Sequence, residues 1–319
     1  MKRLWMILLA AVLLLGACGS NSDKQRADDN KEAIQVKTTV YPLAYFAQRI
    51  GGDAVEASSI YPPGADSHTF EPTQKDMMAL ADSDLFIYIG LGLEGFVDKA
   101  EKTLKNENVR LVPAGASIPE NMLRHGEAHH DEEAGHESHD HSGIDPHVWL
   151  SPVLADRLAE SVKDALVKER PDLEATFTER YDALSGELKK LDGEYREMAD
   201  AANVKTFYIS HASFGYVADE YGLKQVSVAG LNSQSEPSQK QLAHIVDQAR
   251  DENIRYIFFE QNVSSKLSEV IRKEIGAEPL LLHNLSVLTA DDVKNGETYF
   301  SLMERNLDRF KTALGQKTE

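Results

Sequence analysis

The residues in this chain best suited to chemistry are its 11 histidines, which fall into two groups by spacing. Six crowd one acidic stretch: His125, His129, His130, His136, His139 and His141, interleaved with Glu127, Asp131, Glu132, Glu133, Glu137 and Asp140. Imidazole and carboxylate are good zinc or nickel ligands, so the stretch suits weak, multi-site metal binding. It carries almost no apolar side chain and cannot bury a core, so a solvated acidic loop is the plainer reading of the same composition. The second group is sparse. His68 lies in a turn-rich segment that begins at Pro62, and His147 stands in Asp145-Pro146-His147, just before a capped helix. His211 directly follows a strand ending at Ser210, His283 follows Leu280-Leu281-Leu282, and Glu260 follows Phe259 in the same way. Each alone is an ordinary polar loop residue. Their shared placement after strands, from both halves of the chain, points to a metal site. Three neutral imidazoles suit Zn²⁺, bound at about 2.0–2.1 Å in a tetrahedron, whereas a carboxylate-rich set would favour Mn²⁺. His244, inside a helix, reads as a surface residue.

The elements that must position these histidines alternate between strand and helix. Strands are expected at Val36–Val40, Val55–Ile60, Leu85–Ile89 and Val109–Val112, then at Thr206–Ile209, Val226–Val228, Tyr256–Phe259 and Leu280–Leu282. Helices between them start at Pro42, after Thr73 and after the Ser238/Gln241 capping box, and the last runs over about 297–314. Such alternation predicts mostly parallel sheets, whose ligands sit outside the carboxyl ends of the strands. Between the two halves, Phe177, Tyr181, Leu184, Leu188, Leu191, Tyr195 and Met198 recur at helical spacing. About 30 residues at roughly 1.5 Å each make a rod on the order of 45 Å, longer than one small domain. The stripe fits an interlobe spine better than a coiled-coil dimer seam, and a monomer is expected. The fold class is α/β: two similar lobes with mostly parallel sheets, bridged by one long helix, with a metal site in the interlobe cleft. The expected organisation is an N-terminal lobe over 34–165, with its His/acidic loop at 124–142, a linker helix over 166–202 and a C-terminal lobe over 203–319.

Length supports this division, since 319 residues are about twice the usual single-domain size. A hydrophobic content of 42% supplies globular cores. Lys+Arg number 34 against 52 Asp+Glu, a formal net charge of −18, which argues against a nucleic-acid partner because phosphate needs a basic face. The single cysteine, Cys18, excludes disulfides and thiolate metal sites within the chain. It stands instead in an export signal. Met1-Lys2-Arg3 is a positive start, and the apolar stretch from Leu4 to Leu15 is 12 residues long, short of the roughly 20 a membrane span needs. Leu15-Gly16-Ala17-Cys18 looks like a bacterial lipobox. Residues 1–17 are then a lipoprotein signal peptide, Cys18 the lipidated mature N-terminus, and 18–33 a flexible tether. That location is extracytoplasmic, on the cell membrane through the lipid anchor.

Several segments together resemble a known family, the zinc-binding lipoproteins of bacterial ABC zinc importers. They are Thr38-Thr39-Val40-Tyr41-Pro42, Ser67-His68-Thr69-Phe70-Glu71-Pro72 and Asp145-Pro146-His147-Val148-Trp149-Leu150-Ser151-Pro152. Ser210-His211-Ala212-Ser213-Phe214-Gly215-Tyr216, Ala229-Gly230-Leu231 and Ser235-Glu236-Pro237-Ser238 extend the match, as does the His/acidic loop before Asp145. The resemblance covers nearly the whole chain. It implies two lobes on a rigid helix, with Zn²⁺ held by His68, His147 and His211. Family members often place Asp or Glu after the last strand, where this chain reads Leu282-His283-Asn284-Leu285-Ser286. His283 is the favoured fourth ligand, with water or Glu260 as the alternatives. The function implied is a receptor, not an enzyme, that captures zinc outside the membrane and delivers it to the ABC permease. A zinc-storage or chaperone lipoprotein, an adhesin and, less readily, a zinc hydrolase are the competing readings; the last lacks a His-Glu-x-x-His helix.

Overall fold

The computed structural model describes residues 32–126, 143–235, 237–261, 263 and 266–315. Between Ile34 and the C-terminus the chain builds two four-stranded sheets, both wholly parallel. The first holds β1 (Ile34–Thr38), β2 (Val55–Ser59), β3 (Leu85–Tyr88) and β4 (Arg110–Pro113), in the order β2-β1-β3-β4. The second holds β5 (Thr206–Ile209), β6 (Lys224–Ser227), β7 (Tyr256–Glu260) and β8 (Glu278–Leu282), in the equivalent order β6-β5-β7-β8. Every expected strand is present. β1 starts two residues before its apolar run, because Ile34 and Gln35 pair with Val55 and Glu56, and it ends before Thr39 and Val40.

The helices are α1 (Tyr41–Gly51), α2 (Gln74–Ala81), α3 (Val97–Leu104), α4 (Pro152–Glu169), α5 (Glu174–Asp200), α6 (Gly215–Glu220), α7 (Gln239–Asp251), α8 (Lys266–Ile275), α9 (Ala290–Asn295) and α10 (Tyr299–Ala313). Thr73, Ser238, Thr289 and Thr298 each close a capping box at a helix start. Residues 166–202 are not one continuous helix. α4 ends at Glu169, and the chain turns through Pro171–Leu173 before α5 begins, since Pro171 has no N–H to carry the helical ladder onward.

α5 spans 27 residues and buries Phe177, Leu184, Leu188, Leu191, Tyr195 and Met198, the stripe read from the sequence, with Tyr181 half-buried. It packs on α1 and α4 in the first half and on α10 in the second. Arg180 of α5 donates to the Gly51 carbonyl at 2.6 Å and so satisfies an orphan group at the end of α1. Gly52 beside it has φ 56°, and a Cβ there would lie 2.4 Å from the guanidinium. At the other end, the Tyr195 hydroxyl donates to the Met303 carbonyl at 2.9 Å.

One apolar core runs through both halves, from Val36, Phe46 and Phe86 through Trp149 and Leu188 to Phe214, Phe258 and Phe310. A smaller cluster of Tyr208, Val246, Ala249, Ile257 and Ile271 lies under α7 and α8. Buried polar ties cross between the halves as well. The Trp149 indole donates to the Asn284 carbonyl at 2.7 Å, and the Tyr216 hydroxyl donates to the Asp145 carbonyl at 2.7 Å. Among the described residues no helix is long and apolar enough to cross a membrane.

Candidate metal centre

Three loops, two from the first half of the chain and one from the second, bring a histidine each to one place. His68 lies in the turn between β2 and α2, His147 between β4 and α4, and His211 two residues past β5. One nitrogen from each lies within 4.8 Å of the others, and the ring centroids are 5.2, 5.0 and 4.9 Å apart. Donors around a tetrahedral zinc sit roughly 3.3–3.4 Å from one another, so an inward adjustment of the order of 1 Å would complete the set. No closure of separate lobes is needed to gather them.

Local hydrogen bonds fix the His68 backbone and the rings of His147 and His211. The Asp66 side chain accepts from the His68 amide at 2.9 Å and from the Ser233 hydroxyl at 2.9 Å, tying the first-half loop to the second half. Asp145 repeats the motif two residues before His147: it accepts from the His147 amide at 3.0 Å and engages His147 Nδ1 at 2.8 Å. With Nδ1–H committed to the carboxylate, His147 Nε2 presents a lone pair, 3.2 Å from His68 Nε2. His211 Nδ1 lies 3.3 Å from Glu260 Oε2, and its Nε2 lies 2.9 Å from the Leu231 carbonyl.

The electrostatics separate the three rings. Burial, reinforced by the His147 and His211 charges and opposed by Asp66, pushes His68 down to about 3. Burial and the neighbouring His211 charge take His147 well below the ordinary imidazole value. For His211 burial also acts downward, but the Glu260 charge and hydrogen bond, the Leu231 carbonyl and Asp145 together outweigh it, and the net shift is upward. Burial raises Asp145 to about 7 against the His147 amide and the Arg124 charge, which pull it down. Two rings are therefore neutral and ready to ligate at neutral pH, while the third holds its proton more tightly than an ordinary imidazole.

His283 is not brought into this group. Its Nε2 bonds Asp292 at 3.0 Å, and its Nδ1 accepts from Gln261 at 2.8 Å and from the Leu285 amide at 3.0 Å. Asp292 is the capping-box residue of α9, so Nε2 is turned toward that helix while Gln261 and Leu285 occupy Nδ1. Asn306 brackets the backbone of His283 from α10. Glu260, by contrast, stands directly behind His211. His125 lies apart from the three-histidine group: it is exposed, 3.4 Å from Glu120, and forms an isolated bridge with Ile144. Gly126 N donates to Gly143 O at 3.0 Å, which closes the base of the acidic insertion two residues from Asp145. His129, His130, His136, His139, His141 and Cys18 lie outside the described residues. His244 is exposed, as expected.

Asp145 is the site residue that sequence reasoning passed over, although it lay inside the quoted motif. An Asp two positions before a His is the spacing of an Asx turn, and that was the available signal. The Leu231 carbonyl had none, because any residue type supplies it.

Two parallel sheets of like order, a bridging helix and three imidazoles at the strand ends define a metal-binding α/β protein of the solute-receptor type. The comparisons narrow the class. Residues 36–313 match the family model of the zinc-uptake complex component A, periplasmic (ZnuA), and the chain belongs to that family. The high-affinity zinc uptake system protein ZnuA of Bacillus subtilis strain 168 is 37% identical over 308 residues, covering 97% of this chain and 96% of its own length. The zinc-binding lipoprotein AdcA of Streptococcus pneumoniae R6 is 35% identical across 99% of this chain, which spans 62% of that longer protein. Among solved structures, the Zn(II)-bound ZnuA-like domain of S. pneumoniae AdcA superposes with a TM-score of 0.72 at 34% identity, covering 89% of this chain and 100% of that one. The laminin-binding protein Lmb of Streptococcus agalactiae, described as bifunctional with adhesin and metal-transporting activity, gives 0.77 at 28% identity, with 89% and 100% covered.

Proposed function

We propose that this chain is an extracytoplasmic zinc receptor that captures Zn²⁺ with His68, His147 and His211 and delivers it to the permease of an ABC importer. The observation that carries the reading is the donor set: three imidazole nitrogens within 4.8 Å, two of them on rings held neutral by burial. Purely nitrogen donors favour zinc over manganese. The relatives named for zinc uptake and zinc binding supply the transport context. A hydrolase would need an open coordination position facing a substrate pocket, whereas His147 and His211 are only 2% and 1% exposed. Anchoring through Cys18 fits the lipoprotein naming of the streptococcal relative. The acidic histidine segment is read as an auxiliary, weaker metal binder that leads down to Asp145.

The test is a zinc titration against a competing chelator, on the chain from which residues 127–142 have been replaced by two glycines. The Gly126–Gly143 hydrogen bond already holds the two ends together. One tight zinc per chain, lost in His147→Ala, is the expected result. Loss of tight binding on removing the segment alone would move the function into the segment and make storage the better reading.

A further inference from the structure

Two glutamates are buried at the strand ends of this molecule, and they are treated differently. Glu94 accepts from the Thr39 hydroxyl at 2.7 Å and from the Ile89 and Gly90 amides at 2.9 Å each, so both its oxygens are satisfied by the protein. Glu260, the last residue of β7 and only 4% exposed, is not satisfied in that way. Its Oε2 gathers the Ser213 hydroxyl at 2.9 Å, the Asn284 amide at 3.2 Å and His211 Nδ1 at 3.3 Å. Its Oε1 is buried with no hydrogen-bond partner. A buried carboxylate with an orphan oxygen is costly, and a nearby cation is what offsets it.

A zinc ion on three neutral imidazoles would bring two positive charges into the same buried volume. Among the described residues two carboxylates bond the rings, Asp145 at His147 Nδ1 and Glu260 at His211 Nδ1. Asp66 engages the His68 backbone amide instead of its ring. Asp145 and Glu260 each sit against a ring Nδ1, on the side of the ring away from Nε2. The His211 ring is thus held at one end by a charged group fixed in place by Ser213 and Asn284. At the other end it meets only a loop carbonyl, that of Leu231.

We infer that Glu260 is a positioning residue and counter-charge for the zinc site: it grips His211 through Nδ1 while Nε2 exchanges the Leu231 carbonyl for the metal. The inference rests on the zinc-receptor reading and deepens it. Nδ1 is the fixed end of the ring and Nε2 the exchangeable end, so the carboxylate sets the ring plane before the ion arrives. Removing its charge leaves the ring in place but weakens the ligand and strands the charge of the ion.

The test compares Glu260→Gln, Ser213→Ala and His211→Ala in the full chain. Its readouts are chelator competition with Zn²⁺, the visible absorption of the Co²⁺-substituted protein and zinc-edge X-ray absorption. Glu260→Gln is isosteric and keeps an acceptor for Ser213, and circular dichroism checks that it folds. The expected result is about 10–100-fold weaker zinc binding and a shifted cobalt spectrum, with the inner ligand shell unchanged. Ser213→Ala shifts affinity in the same direction by a smaller factor. Wild-type affinity and spectrum in Glu260→Gln, with tight binding lost in His211→Ala, would overturn the inference and leave the receptor reading standing. Loss of an oxygen scatterer from the inner shell in Glu260→Gln would overturn it too, by making Glu260 a ligand. Wild-type affinity in His211→Ala would instead remove the site itself.

Discussion

His211 has both ring nitrogens engaged by protein groups, and its raised affinity for protons bears on how the proposed site should respond to acid. Glu260, the Leu231 carbonyl and Asp145 favour its charged form, while His68 and His147 are held neutral far below pH 6.5. Zinc and protons compete for the His211 ring and for the Asp145 carboxylate behind His147, raised to about 7, so zinc affinity should fall as pH drops below neutrality. Isothermal titration in buffers of different ionisation enthalpy measures this directly, and zinc binding with no proton release below neutrality would contradict it. Folding carries the opposite signature for the lowered pair. His68 and His147 bind protons more readily unfolded than folded, so their contribution to stability is lost as pH falls below about 6.5 toward their folded values. Substitution separates ligands from scaffold: His147→Ala should weaken zinc on the order of 10²–10³-fold. His283→Ala should leave zinc affinity nearly unchanged and lower stability by about 1–3 kcal/mol, since it removes the buried bonds to Asp292 and Gln261 and leaves the Leu285 amide without its acceptor. A large affinity loss in His283→Ala would restore it as a ligand candidate. His68, His147 and His211 were legible as a group because each follows a strand or precedes a helix cap in a parallel sheet. His283 follows its strand in the same way, but side-chain direction past the last residue of a strand is decided by its partners, and Asp292 lies nine residues on.

Elements with strong periodicity were the readable part of the fold. The four-residue apolar runs of β3 and β5 and the 27-residue stripe of α5 announce themselves, because burial on a fixed face imposes a fixed spacing. α3 and α9 were not read: α3 is one short amphipathic stretch of 8 residues, and α9 has 6 and buries only Asp292. The expected single helix over 166–202 is instead the end of α4, a turn at Pro171–Leu173 and α5, a break that the apolar spacing from Phe177 onward does not reach. The short helical turn Val148–Leu150 has most consequence for the site. It follows His147 directly and sends Trp149 into the core, where its indole donates to the Asn284 carbonyl and its own carbonyl accepts from Tyr299. Asn284 also donates to Glu260, so one turn couples the His147 loop to the residue behind His211. Trp149→Phe should therefore cost about 2–4 kcal/mol, from lost volume and a buried carbonyl left without its donor. Chemical denaturation measures that loss, and zinc affinity should fall with it. A stability change within about 0.5 kcal/mol would mean that the turn is not what joins the two loops.

At the scale of the whole molecule, the two sheets repeat one topology without behaving as two independent bodies. The apolar core continues from the first sheet through Trp149, α5 and Tyr299 into the second, and α5 is pinned at one end by Arg180 and at the other by Tyr195. Each half would expose large apolar faces if it opened alone, so opening is coupled. The metal-free protein should unfold in a single calorimetric transition, with calorimetric and van't Hoff enthalpies close to each other. Zinc bound at the proposed site would then stabilise that one unit, and at about 1,000 times its dissociation constant it would add roughly 4 kcal/mol. For a chain of this size the shift in Tm is on the order of 5–10 °C, with the peak moving as a whole. The same continuity limits motion: because the three imidazoles are already gathered, zinc should alter loops and leave the sheets in place, changing the radius of gyration in solution scattering by less than about 1 Å. Two resolved thermal transitions, only one of them moved by zinc, would show that the halves fold separately. The bridging helix would then be a hinge instead of a spine, and delivery would have to work by separating the halves.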